Sequence, residues 1–148
     1  MKKPLIYIVE DDDVYLKVIK HKLDEYKLNN LRTYHTGKEC LEEIRKHPNY
    51  LILDFSLPDL NGLDVLREVK KVSRNTRVIM LTALEDQTVA KKCLQEGAYD
   101  FIIKNEEGLL KLESILEKIS TGSRNKNLVM ALILFILIGL LIIFLLTL

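Results

Sequence analysis

Tyr50-Leu51-Ile52-Leu53-Asp54-Phe55-Ser56-Leu57-Pro58-Asp59-Leu60-Asn61-Gly62 decides the fold of this chain. An apolar, β-prone run ends in a single carboxylate, and Pro58, Asp59, Asn61 and Gly62 follow as turn formers. Asp54 therefore stands at the carboxyl end of a buried strand. That edge is where open parallel α/β sheets place their ligand crevice. Taken alone, the same residues also fit a carboxylate that merely ends a strand and accepts hydrogen bonds from its loop.

Outward from this stretch the pattern alternates. Leu5-Ile6-Tyr7-Ile8-Val9 reads as a buried strand stopped by Glu10-Asp11-Asp12-Asp13, of which Asp12 or Asp13 suits the N-cap of the next helix. Leu16, Ile19, Leu23 and Tyr26 mark that helix. Leu31–Tyr34 is a weaker, alternating strand that suits a sheet edge. Thr36 and Gly37 open a helix that Pro48 stops. Val65, Leu66, Val69 and Val72 mark a third helix. Arg77–Thr82 is a fourth strand, Ala90, Cys93, Leu94 and Gly97 fit a fourth helix, and Asp100–Lys104 is a fifth strand. Leu109, Leu112, Leu116 and Ile119 mark a fifth helix. Five strands alternating with five helices predict an α/β, doubly wound parallel sheet, in strand order 2-1-3-4-5 if the weak second strand lies at the edge.

Composition excludes some functions. The chain has 148 residues, 29% charged and 48% hydrophobic, with a net charge of +1, which offers no electrostatic case for nucleic-acid binding. Cys40 and Cys93 fall in helices without metal-ligand spacing and read as reduced, buried thiols. His21, His35 and His47 lie outside every motif.

In a parallel sheet the carboxyl ends of all strands open on one edge. Glu10 and Asp11, Asp54, Thr82 and Lys104 meet there. Clustered carboxylates repel by about 1–4 kcal/mol per close pair, so something positive is needed, and oxygen-only ligands suit Mg²⁺. A metal, a lysine, a hydroxyl and a carboxylate nucleophile together stabilise a phosphoryl group in transit.

These residues resemble the response-regulator receiver domains of two-component signalling, over about residues 4 to 120. Ile8-Val9-Glu10-Asp11-Asp12 is similar to the acidic-pair motif, and Leu53-Asp54 with Leu57–Leu63 to the phosphoacceptor loop. Leu81-Thr82-Ala83 is similar to the switch hydroxyl, and Gly97–Lys104 to the last strand with its lysine. The resemblance implies a flavodoxin-like fold and Asp54 as phosphoacceptor. It implies Mg²⁺ held by Glu10, Asp11, Asp54 and the Ser56 backbone carbonyl. It further implies Thr82 and Lys104 as phosphoryl-oxygen partners and Phe101 as the aromatic that changes rotamer with Thr82, where the residue alone reads as a plain core or surface aromatic. The partners implied are a sensor histidine kinase or phosphotransferase and a protein effector of unknown identity, and the only catalysis is of the domain's own phosphorylation and dephosphorylation. One departure stands out: Asn105 follows Lys104 where the family usually has a cis proline, so the loop is either trans or strained. Ser56 and Leu84 flank the site and are expected to tune the lifetime of the acyl phosphate.

Leu128–Leu148 contains no charged residue and only Gly139 and Thr147 among its apolar side chains. As a helix it is about 31 Å long, the thickness of a bilayer core. The expected organisation is a receiver over 1–120, a polar linker over 121–127 and a transmembrane helix over 128–148. Arg124 and Lys126 keep the receiver on the cytoplasmic side of the cell (inner) membrane, in the layout of a tail-anchored protein. Three functions follow: a membrane-tethered switch whose protein-binding face (fourth helix, fifth strand, fifth helix) responds to phosphorylation, a phosphoryl shuttle or sink, or a phosphorylation-independent membrane scaffold.

Overall fold

The computed structural model describes residues 3–147, the side chains of 123–128, 143, 146 and 147 excepted. Five strands, β1 (Ile6–Val9), β2 (Leu31–Tyr34), β3 (Tyr50–Asp54), β4 (Arg77–Thr82) and β5 (Asp100–Ile103), form one parallel sheet in the order β2-β1-β3-β4-β5. The edge position of β2 follows from its residues: Arg32 and Thr33 are exposed, whereas every residue of β1 is buried. The helices are α1 (Asp13–Glu25), α2 (Gly37–Glu43), α3 (Gly62–Val72), α4 (Gln87–Gln95) and α5 (Glu106–Thr147).

Period-two alternation sends successive strand residues to opposite faces. Ile6, Ile8, Ile52, Ile79, Leu81 and Ile102 pack against α1 and α5. Tyr7, Val9, Leu51, Leu53, Met80 and Phe101 pack against α2, α3 and α4. Both cysteines are free and buried on that second face. Val72 and Leu94, which help to mark their helices in the sequence, are 40% and 48% exposed, and each stands in the last turn of its helix. Ile115, which the sequence reading passed over, completes the buried stripe of α5 with Leu112, Leu116 and Ile119.

Each helix start is capped by a short polar side chain. Asp12 accepts from Val14 and Tyr15 N–H, Asn61 from Leu63 N–H, and Asp86 from Thr88 and Val89 N–H. Thr36 and Glu39 form a capping box. Asp59 adds a second cap to α2 from a distant loop, accepting from Gly37 and Lys38 N–H at 2.9 Å each.

Residues 121–127, the expected polar linker, continue α5 as helix and so advance the chain by about 1.5 Å per residue. Beyond them the large apolar side chains described are exposed, from Val129 through Leu145. Among the described residues no helix is long and apolar enough to cross a membrane. Of the proposed 128–148 span, the side chains of Leu128, Ile143, Leu146 and Thr147, and Leu148 as a whole, lie outside the described residues.

Candidate functional site

The site is built from strand ends. β1 delivers Glu10, fully buried, with Asp11 exposed beside it; β3 ends in Asp54, 3% exposed; β4 ends in Thr82, fully buried. Lys104 follows β5 and reaches back across the rim. Its Nζ lies 3.0 Å from Glu10 Oε1, 2.8 Å from Glu10 Oε2 and 3.1 Å from Asp54 Oδ1. Ninety-four residues separate Lys104 from Glu10, so only the fold brings them together.

The carboxylates are held under strain of charge. Burial, with the neighbouring Asp11 charge, pushes Asp54 above the usual carboxylate range, against the opposing pull of Lys104 and of the Ser56 N–H. Burial and the charge of Asp54 push Glu10 up likewise. For Lys104 burial disfavours the ammonium, but the hydrogen bond to Glu10 and the charges of Asp54 and Glu10 outweigh it and raise the pKa. One fixed cation thus stands against three acids.

Glu10, Asp11 and Asp54 each offer an oxygen, and these oxygens all lie within 4.8 Å of one another. Glu10 Oε2 is buried, and the group against it is the Lys104 ammonium, 2.8 Å away without a well-formed hydrogen bond. The donor set is all oxygen and anionic, as a hard dication requires. These residues fit Mg²⁺.

The remaining expected residues fall around this cluster. Thr82 Oγ1 accepts from Leu84 N–H at 3.0 Å, and Thr82 pairs in register with Ile103. Phe101 pairs with Met80, so it shares the sheet face of Thr82 one step down the strands. It is buried in the core there, in agreement with the plain reading of the residue. Ser56 is exposed, and its bridge to Asn61 closes the loop that follows Asp54. Gly62 lets α3 start against that loop: a Cβ there would lie 2.5 Å from the Asp54 carbonyl oxygen. His21, His35 and His47 have no place in the cluster.

Four features of the site escaped the sequence reading. Tyr15, in the first turn of α1, lays its ring under the Lys104 ammonium at 4.8 Å from the centroid, and its buried hydroxyl has no hydrogen-bond partner among the described residues. Its position four residues after Asp11 is the only sequence signal, and it reads equally as core. Asn105 is the N-cap of α5: its Oδ1 accepts from Gly108 N–H at 2.8 Å, and its own N–H donates to the Ile103 carbonyl at 2.9 Å. Proline could do neither. The described chain has no cis peptide bond, so the Lys104–Asn105 loop is trans and still presents the lysine to both carboxylates. Gly108 lets α5 start close to β5, since a Cβ there would fall 1.7 Å from the Ile103 carbonyl oxygen. Asp59, read from sequence as a turn former, ties the Asp54 loop to α2.

Residues 6–117 match the model of the response regulator receiver domain family. The chain is 29% identical over 111 residues to the chemotaxis protein CheY of Bacillus subtilis, covering 74% of this chain and 92% of CheY. It is 31% identical over 132 residues to a probable transcriptional regulator of Porphyridium aerugineum, covering 86% of this chain and 54% of the regulator, so it spans about half of that relative's length. Among solved structures, CheY in the CheX–CheY–BeF3–Mg²⁺ complex of Borrelia burgdorferi is similar at 26% identity and TM-score 0.69, covering 75% of this chain and 85% of that one.

Proposed function

Because the chain belongs to the response-regulator receiver domain family, we propose that it accepts a phosphoryl group on Asp54 from a histidine kinase or phosphotransferase and transmits that event through a protein-binding face. The observation that carries the reading is the single ammonium of Lys104 shared by Glu10 and Asp54, with Asp11 alongside. Excess negative charge at a rim supports the binding of a dication, and Glu10, Asp11 and Asp54, with the Ser56 carbonyl, would hold it. Mg²⁺ would supply charge neutralisation for the phosphoryl oxygens.

The chain's own groups divide the remaining work. Asp54 Oδ is the nucleophile, and its buried setting excludes bulk water. Lys104 Nζ, now paired with Glu10 and Asp54, would turn to a phosphoryl oxygen and neutralise part of its charge. Thr82 Oγ1, which accepts from Leu84 N–H, donates its own hydrogen to a phosphoryl oxygen, and the loop after β4 follows it. Phe101, on the same sheet face and bordering a groove of about 500 Å³ that Ala90, Asn105 and Lys111 also line, carries the change to the surface of α4, β5 and α5.

The same reading places the receiver at a membrane. Its support is the uncharged run from Leu128 to Leu148, the exposure of the described large apolar side chains on it, and Arg124 and Lys126 ahead of it. The receiver then faces the cytoplasm.

The test is incubation with a small-molecule phosphodonor and Mg²⁺, followed by intact mass. Wild type should gain one phosphoryl group and Asp54→Asn none, and chelation of the metal should abolish the gain. A shuttle would pass labelled phosphoryl on to a histidine protein. A scaffold would behave identically with Asp54→Asn in every assay, and that result would refute the proposal.

A further inference from the structure

In a parallel sheet with short connections each helix runs back against the strands, so α5 begins at the acidic rim and leaves the receiver at the opposite edge. That opposite edge carries a groove of about 780 Å³ where β3 and β4 begin, and Ile119 and Gly122 of α5 line one side of it. Arg74, Arg77 and Lys118 line it too, and none of its lining residues is Asp or Glu. All three cations are exposed, and none forms an ion pair with a carboxylate among the described residues.

The groove has a built floor. His47 Nδ1 bonds Ser73 Oγ at 3.0 Å, Ser73 Oγ bonds Thr76 Oγ1 at 2.7 Å, and Thr76 donates to the Pro48 carbonyl at 2.6 Å. Arg77 is held in place by the rings of Tyr50 and Tyr99, its guanidinium 5.8 and 5.3 Å from their centroids. An oriented guanidinium beside two further cations, with no acid in the lining, has the chemistry that suits a phosphate.

Its place along α5 names the source of the phosphate. Six residues separate Gly122 from Leu128, a rise of about 9 Å along the helix. The headgroup layer on each side of a bilayer is about 5–8 Å thick. A helix that enters the hydrocarbon at Leu128 therefore sets Gly122, the groove's nearest edge along α5, about 1–4 Å outside the headgroup layer, where lysine and arginine side chains can reach down to it. We infer that the groove of Arg74, Arg77 and Lys118 binds the phosphates of anionic phospholipids in the leaflet α5 enters, and so sets the receiver with its acidic rim turned away from the membrane. The inference rests on the membrane reading above. A cation near an anionic surface favours binding by roughly fivefold each, so three together give on the order of a hundredfold.

The test uses the full chain reconstituted in vesicles of phosphatidylcholine, with or without phosphatidylglycerol. Resistance to alkaline carbonate extraction reports the anchor by itself, in both compositions. Acylation of Lys118, followed by mass spectrometry against Lys91 on α4, reports the groove. The expected result is Lys118 protected at least fivefold only with phosphatidylglycerol, reversed by high salt and lost in Arg74→Gln, with Lys91 unaffected. Equal Lys118 reactivity in the two compositions, with the chain still carbonate-resistant, overturns the groove and spares the anchor. Extraction of the chain by carbonate overturns both. Protection by glycerol phosphate in neutral vesicles to the same degree assigns the groove to a soluble phosphate and overturns the lipid.

Discussion

Gly108→Ala should cost this protein far more than a glycine-to-alanine change in a helix normally does. In a helix interior alanine is favoured over glycine by about 1 kcal/mol. At Gly108, however, the new Cβ would stand 1.7 Å from the Ile103 carbonyl oxygen, 2.9 Å from its carbon and 3.0 Å from Ile102 Cγ2. Two of these neighbours are backbone, which cannot rotate away. Ordinary contact begins near 3.4 Å, so the first turn of α5 has to lift from β5 by about 1.7 Å. That lift reaches the Asn105 cap and loosens the packing of Leu112, Ile115, Leu116 and Ile119, each worth about 1.5–3 kcal/mol when fully buried. Overpacking of 1–3 kcal/mol plus partial loss of this packing gives a net destabilisation of about 3 kcal/mol or more. For a chain of this length that lowers the melting midpoint by about 6–12 °C. Gly122 is the control in the same helix. A Cβ there meets nothing within 4 Å, so Gly122→Ala should stabilise by about 0.5–1 kcal/mol. Urea titration of the full chain in detergent, followed by far-ultraviolet circular dichroism, measures both. Equal effects of the two substitutions, or a Gly108→Ala variant within about 0.5 kcal/mol of wild type, would refute the close approach.

Three other outcomes follow from the site and the core. Added Mg²⁺ should raise the melting midpoint by relieving the carboxylate repulsion, about 1.4 kcal/mol at tenfold its dissociation constant; Asp11→Asn should largely remove that gain, and an undiminished rise would exclude Asp11 as a ligand. Asn105→Ala should destabilise by about 1 kcal/mol through loss of the Gly108 cap, and a neutral result in the same urea titration would show the cap to be redundant. Cys40, with its pKa pushed up to about 12 by burial, stays a thiol as pH rises through the ordinary thiol range near 8.5. Its alkylation in the native protein should therefore remain slow there and become fast in denaturant; rapid native labelling would contradict its burial.

Most of the architecture was legible before any coordinates. Apolar runs of β period, the weak alternation of Leu31–Tyr34 and the turn residues after Asp54 are local properties, and each predicts its own element. Glu10, Asp11, Asp54, Thr82 and Lys104 were legible for the same reason, since a parallel sheet sends every strand end to one edge. Tyr15, Asn105 and Gly108 were not. The Tyr15 ring beneath the Lys104 ammonium joins segments far apart in sequence, while the Asn105 cap and Gly108 under the Ile103 carbonyl are local relations within 103–108 whose geometry hydrophobic period and composition do not specify. The C-terminal run divides in the same way: its hydrophobicity is written in the residues, while the helical continuity through 121–127 belongs to the conformation. Composition and period thus determined which residues face inward and which strands end in charge. Only the packing of α5 against β5 decided how close the lysine, its cap and its acids come, because sub-ångström distances depend on where two backbones meet.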